Sequence, residues 1–233
     1  DIRLSLVGSE MCIRDSLSML QEVINGSGVI LHTNLGRAPL GKEMLLTVQA
    51  SLSGYSNLEY DLAEGERGKR GEIVGKLLST LSNTENSLVV NNNAGAIFLI
   101  LHALAKNKEV IVSRGELVQI GGGFRIPEIL EQSGAYLREV GTTNQTFIDD
   151  YEKAINDNTA MLLKVHQSNF QINGFVHQTE INELKKLGKK YKLPVVIDLG
   201  SGTFLNTENF GLKHEPTVQA VSYTHLTLPT NRE

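Results

Sequence analysis

The sequence predicts an α/β protein built on a mostly parallel sheet flanked by helices. Two observations carry this. From residue 87 to 202, short apolar runs alternate with helical patterns, and each apolar run ends in a polar or glycine-rich stretch. Strands buried between two helical layers read this way. Ligands of such sheets bind beyond the carboxyl ends of the strands. Those ends fall at residues 91–93, 113–116, 141–143, 166–169 and 198–202. One polar strand end is a loop; five in series point to a site.

The elements follow in order. Residues 17–24 read as the end of a helix, broken by Gly26-Ser27-Gly28, with a short strand over 29–31. A polar loop with one arginine, Arg37, leads past Pro39 into a helix over 42–51, where proline near the first turn is tolerated. Residues 55–71 have no clear period and are rich in charge, which in a compact domain favours a functional or irregular loop. An amphipathic helix over 71–81 carries Ile73, Leu77, Leu78 and Leu81 on one face. Strands are then expected at 88–90, 109–112, 136–140, 161–165 and 194–197. Helices are expected at 94–105, around 127–132, at 147–155 and at 180–191. The charges of the last helix read as a solvated face.

Composition narrows the function classes. The 233 residues carry a formal net charge of −4, so no broad nucleic-acid-binding surface is indicated, although a local basic patch remains compatible. The single cysteine is Cys12, which excludes a disulfide scaffold and cysteine-based metal sites. Neither a membrane-length apolar run nor a signal peptide is recognisable.

The two ends stand apart. Met11-Cys12-Ile13-Arg14-Asp15 can be encoded by a string whose reverse complement encodes Val221-Ser222-Tyr223-Thr224-His225, and Ser16 is likewise antisense to Ala220. Inverted repeats of this kind are left by sequencing adaptors. Residues 1–16 and 220–233 are therefore set aside from fold reasoning. The remainder divides into an N-terminal segment, 17–86, and a partial cofactor-binding α/β domain, 87–219.

The central stretch is Asn91-Asn92-Asn93-Ala94-Gly95-Ala96. An asparagine there caps the following helix, and the remaining free N–H groups with the helix dipole suit a phosphate. An ordinary strand–cap–helix junction explains it equally well. Asp198 follows Val195-Val196-Ile197 directly, so its base is expected to be buried, which is costly unless paired. It either caps the next turn or faces a cationic ring nitrogen, the arrangement that makes pyridoxal phosphate an electron sink. His166, at another strand end, suits ring stacking or proton transfer, or is a satisfied loop histidine. Arg37, Arg67, Arg70, Arg114 and Arg125 lie in loops or near glycines. Arginine favours bidentate phosphate or carboxylate recognition, and two or three of these five are expected at a ligand. Gly121-Gly122-Gly123 lacks dinucleotide-fingerprint spacing.

Several strings together resemble bacterial L-seryl-tRNA(Sec) selenium transferases, or selenocysteine synthases. They include His32-Thr33-Asn34-Leu35-Gly36-Arg37, Tyr55-Ser56-Asn57-Leu58-Glu59-Tyr60-Asp61, Val89-Val90-Asn91-Asn92-Asn93-Ala94, Ser113-Arg114-Gly115-Glu116, Phe124-Arg125-Ile126-Pro127 and Asp198-Leu199-Gly200-Ser201-Gly202. The likeness runs from about residue 20 to 219. It implies the large domain of a fold-type-I pyridoxal phosphate transferase, incomplete on its C-terminal side, cytoplasmic and homo-oligomeric. The implied substrates are seryl-tRNA(Sec), bound mainly by a missing N-terminal domain, and selenophosphate. The implied reaction loses water from the serine and adds selenium at its β-carbon.

By the same resemblance Asp198 holds the pyridine nitrogen protonated, and Asn93, Ala94 and Gly95 hold the cofactor phosphate. Asn92, His166 and Ser201 complete the cofactor set, the five arginines are candidates for selenophosphate, and no metal is expected. The family's Schiff-base lysine lies beyond the equivalent of Gln219, so this polypeptide is expected to be inactive. Neither Lys164 nor Lys213 is a substitute. Two alternatives are a related pyridoxal phosphate lyase acting on an amino-sugar phosphate and a non-enzymatic phosphate-binding α/β module.

Overall fold

A computed structural model describes residues 21–29, 32–117, 119–120, 124–167 and 170–222. The chain forms two units, Asp1–Gly65 and Glu66–Glu233.

In the first unit the side chain of His32 caps a short 3-10 helix, Thr33–Leu35, by accepting from the Asn34 amide at 3.3 Å. Helix α1 spans Lys42–Leu52 and buries none of its residues within the chain. Its apolar Met44, Leu45, Leu46, Val48 and Leu52 are exposed. The two-residue strand β1, Tyr60–Asp61, opens a turn in which Asp61 accepts from the amides of Ala63 and Glu64. The helix end expected over 17–24 is not borne out at 21–24, which are not helical. Of the strand expected at 29–31, Ile30 and Leu31 lie outside the described residues.

The second unit begins with β2, Glu66–Arg67, and helix α2, Glu72–Ser82. Helix α3 follows at Asn93–Leu104, strand β3 at Glu109–Ser113, and a small antiparallel pair, β4 Gln119–Ile120 and β5 Phe124–Arg125. Helix α4 (Ile126–Ser133), strand β6 (Tyr136–Val140), helix α5 (Ile148–Ala154) and strand β7 (Thr159–Val165) come next. Helix α6 (Ile181–Tyr191), strand β8 (Val195–Asp198) and a short helix α7 (Val218–Ser222) complete the unit.

Four strands pair in the order β6-β3-β7-β8, all parallel. Their side chains alternate between two cores with the period of two that pleating imposes. Val110, Val112, Met161, Leu163 and Val165 pack with Ile97 and Leu101 of α3 and Leu130 of α4. Ile111 and Leu162 pack on the other face with Tyr151 of α5 and Leu184 and Leu187 of α6. Covering both faces explains why these strands read as continuous apolar runs. Gly188 lets α6 lie close to the chain before β8: a Cβ there would meet Val195 Cγ2 at 2.6 Å and the Leu193 carbonyl oxygen at 2.7 Å.

A further expectation needs correction. Residues 88–90 form no strand: a strand needs a ladder partner, and none of the four parallel strands pairs with this segment. Leu88 is 75% exposed accordingly. The amphipathic helix expected over 71–81 is present as α2, with its Ile73, Leu77 and Leu81 exposed within the chain. At the other end, Ala220, Val221 and Ser222 belong to α7; Lys185 Nζ donates to the Val221 carbonyl at 3.0 Å.

Candidate functional site

Chain order and strand order diverge between β3 and β7: β3 leads to β6 on one side, and β7 leads to β8 on the other. Such a divergence opens a crevice at the carboxyl ends of the strands. Here Glu116 fills it. This carboxylate is 2% exposed. It accepts from Lys164 Nζ and from the Val165 amide, each at 2.9 Å, while Lys164 Nζ also donates to the Thr179 carbonyl at 2.9 Å. Burial pushes the Glu116 carboxyl up, against the opposing pull of the Lys164 ammonium. The ammonium of Lys164 is thus committed to structure.

The candidate residues converge one strand further along. The apolar run of β8 ends at Asp198, which is 7% exposed. Asn93 Nδ2 donates to Asp198 Oδ1 at 2.7 Å, and the His166 amide donates to the Asp198 carbonyl at 2.9 Å. Among the described residues the second carboxylate oxygen receives no hydrogen bond. Burial raises the Asp198 carboxyl above the usual aspartate range, while the Asn93 hydrogen bond and nearby His166 act in the opposite sense. His166 Nδ1 is buried without a hydrogen-bond partner, 3.8 Å from Glu215 Oε2. Ser201 Oγ donates to the same Glu215 oxygen at 3.2 Å.

Asn92 caps α3, its side chain accepting from the Gly95 amide at 2.8 Å. That spends the Gly95 N–H. The amides of Asn93 and Ala94 have no acceptor among the described residues, so the first turn keeps two free donors at the positive end of the helix dipole. A cleft of about 300 Å³ lies beside this group, walled by His166, Gln167, Phe170, Leu199, Lys213 and Pro216. Asn92, Asn93 and Asp198 are not among its walls, so the chemistry clusters at its edge.

The structure brings together Asn93, Asp198 and His166, with Ser201 joined through Glu215. Arg114 and Arg125 are engaged elsewhere. Arg114 pairs with Glu139 at 2.9 Å, and Arg125 binds Gln119 Oε1 at 2.9 Å and Glu128 Oε1 at 3.2 Å. Arg37 is exposed with a φ of 63° in the first unit, and Arg67 and Arg70 are exposed. Gly121, Gly122, Gly123, Ser168 and Asn169 lie outside the described residues. Sequence reasoning missed two carboxylates, Glu116 and Glu215. A lysine in the middle of an apolar strand was the available signal for the first, because a buried ammonium needs a partner. Among the described residues no cluster of side chains could hold a metal ion, and no helix is long and apolar enough to cross a membrane.

The fold is the α/β architecture of fold-type-I pyridoxal phosphate enzymes, a parallel sheet flanked by helices, with a polar cluster at its strand ends. A solved D-glucosaminate-6-phosphate ammonia-lyase shares the fold, with a TM-score of 0.64 over 91% of this chain and 63% of the other, at 19% identity. The chain belongs to the L-seryl-tRNA selenium transferase family (SelA), whose family model matches residues 23–228. It is 56% identical over 193 residues to the L-seryl-tRNA(Sec) selenium transferase of Aquifex aeolicus, covering 83% of this chain and 43% of that protein. It is also 56% identical over 201 residues to that of Carboxydothermus hydrogenoformans, covering 86% of this chain and 43% of that protein. The chain therefore spans less than half the length of these curated relatives.

Proposed function

We propose that this chain is the cofactor-binding part of a pyridoxal phosphate enzyme that converts seryl-tRNA(Sec) to selenocysteyl-tRNA(Sec) with selenophosphate. The observation that carries the reading is Asp198: a buried carboxylate with one oxygen held by Asn93 and the other left without a donor. A buried anion with an unspent oxygen suits a cationic partner, and a protonated pyridine nitrogen is one. The free amides of Asn93 and Ala94 suit the cofactor phosphate, and the unpartnered Nδ1 of His166 is a polar group awaiting an acceptor or donor. The residues present fit the group.

What the cofactor supplies when bound is an electron sink that lets the seryl hydroxyl leave as water and selenium enter at the same carbon. The rest falls to the protein. Asp198 would hold the proton on the ring nitrogen, because a carboxylate beside it favours the charged form. The amides at the start of α3 would hold the phosphate, and His166, which lines the adjoining cleft, would be available to the ring. Arg37, Arg67, Arg70, Arg114 and Arg125 are the candidate cations for selenophosphate, and Arg114 and Arg125 hold carboxylate partners that they would exchange for it. Identity of 56% to named L-seryl-tRNA(Sec) selenium transferases supports seryl-tRNA(Sec) as the substrate and selenium as the element transferred. Cytoplasmic location and a homo-oligomer belong to the same reading.

The test is made in the full-length gene product. Asp198→Asn should abolish formation of selenocysteyl-tRNA(Sec) from seryl-tRNA(Sec) and selenophosphate. Activity equal to the unsubstituted enzyme would sink the reading.

A further inference from the structure

The three consecutive asparagines before α3 do different work. Asn92 is spent on the helix cap. Asn93, the first residue of α3, turns its side chain to Asp198, 105 residues further along the chain. We infer that Asn93 is a positioning residue for the Asp198 carboxylate, and that its side chain takes no part in holding a phosphate. This rests on the cofactor reading above for its ligand, but not for the contact itself.

Two features of the geometry support it. The 2.7 Å bond ties the amino end of α3 to the carboxyl end of β8, so one side chain sets the spacing between the free amides of α3 and the ring carboxylate. The amide donates without adding charge, so it fixes one oxygen and leaves the ionised group available to a cation. A lysine there would neutralise Asp198, and an aspartate would repel it. The hydrogen bond favours the ionised form against the burial that disfavours it.

The test uses the 233-residue chain and three variants, Asn93→Ala, Asn93→Asp and Asn92→Ala, each checked for native circular dichroism. The Asp198 carboxyl is titrated by ¹³C NMR, and the affinities for pyridoxal phosphate and for inorganic phosphate are measured separately. In Asn93→Ala the titration midpoint of Asp198 should rise by about one pH unit, as expected for loss of a hydrogen bond to the charged form. Pyridoxal phosphate should bind about tenfold more weakly while inorganic phosphate binds within about twofold of the parent. Asn93→Asp should raise the midpoint further. Asn92→Ala, which removes the bond to the Gly95 amide, should leave the Asp198 midpoint unmoved. An unchanged Asp198 midpoint in Asn93→Ala, or equal weakening of both ligands, would overturn the inference. If the parent binds neither ligand, the cofactor reading falls, and the titration alone decides the role of Asn93.

Discussion

Asn93 Nδ2 donates to Asp198 Oδ1 at 2.7 Å, joining the first residue of a helix to the last residue of a strand 105 positions later. This contact fixes one oxygen of a buried carboxylate at the candidate site and adds no charge beside it.

Burial raises the Asp198 carboxyl above its ordinary value. As pH rises from about 4 through the folded-state value, the unfolded chain has released a proton that the folded chain still holds. The folded state then binds more protons, so stability falls with rising pH across that window. Asp198→Asn removes this term. The variant should be the more stable chain at pH 7, by about 1.4 kcal/mol for each pH unit by which the native midpoint is raised. The difference should vanish near pH 3. Urea unfolding between pH 3 and 7.5 measures it, and a variant less stable at pH 7 than at pH 3 relative to the parent would contradict the account.

The Glu116–Lys164 pair makes a second prediction. Both side chains are nearly buried, at 3% and 13% exposure. Lys164→Met leaves the carboxylate buried without its cation and should cost about 3–5 kcal/mol in urea unfolding. Adding Glu116→Gln should recover much of the loss, because the amide oxygen can still accept from the Val165 amide and no charge is left behind.

A third concerns Gly141, which has a φ of +68° and where a Cβ would fall 2.2 Å from Thr146 Oγ1. Thr146 is buried, and its hydroxyl pairs with Ser113 Oγ at 2.8 Å, tying the end of the loop before α5 to the end of β3. Gly141→Ala should therefore cost more than about 2 kcal/mol, from strain and steric conflict together. Gly174→Ala is the control: its φ is +108° but nothing lies within 4 Å, so only backbone strain remains. A smaller loss there, by the same thermal melt, is expected.

Asn92→Ala deletes the side-chain cap of α3 and should lower stability by about 1 kcal/mol. Asn92→Ser, which can accept from the same amide, should restore most of it. Denaturant midpoints of the two variants give the comparison.

How far the sequence reached depends on the range of the interactions involved. Strand β6 falls at the expected bounds, and β3, β7, β8 and the helices between them fall within two residues of theirs, because burial on two faces writes itself as local apolar runs. Asp198 was legible for the same reason, as a carboxylate ending such a run. The strand expected at 88–90 failed because apolar residues supply only half of a strand; the other half is a ladder partner that no local pattern announces. Lys164 meets Glu116 across 48 residues, and Ser201 meets Glu215 through a loop without regular structure. Neither pairing has a period to read. The arginines were chosen by residue type alone, and Arg114 and Arg125 take carboxylate partners on neighbouring elements.

The central claim is that Asp198 faces the ring nitrogen of pyridoxal phosphate. Equilibrium dialysis of pyridoxal phosphate against the 233-residue chain and its Asp198→Asn variant tests it most directly. The account predicts saturable binding to the parent and at least about tenfold weaker binding to the variant, a difference of about 1.4 kcal/mol, with inorganic phosphate bound equally by both. Equal affinity of the two chains for pyridoxal phosphate would contradict it.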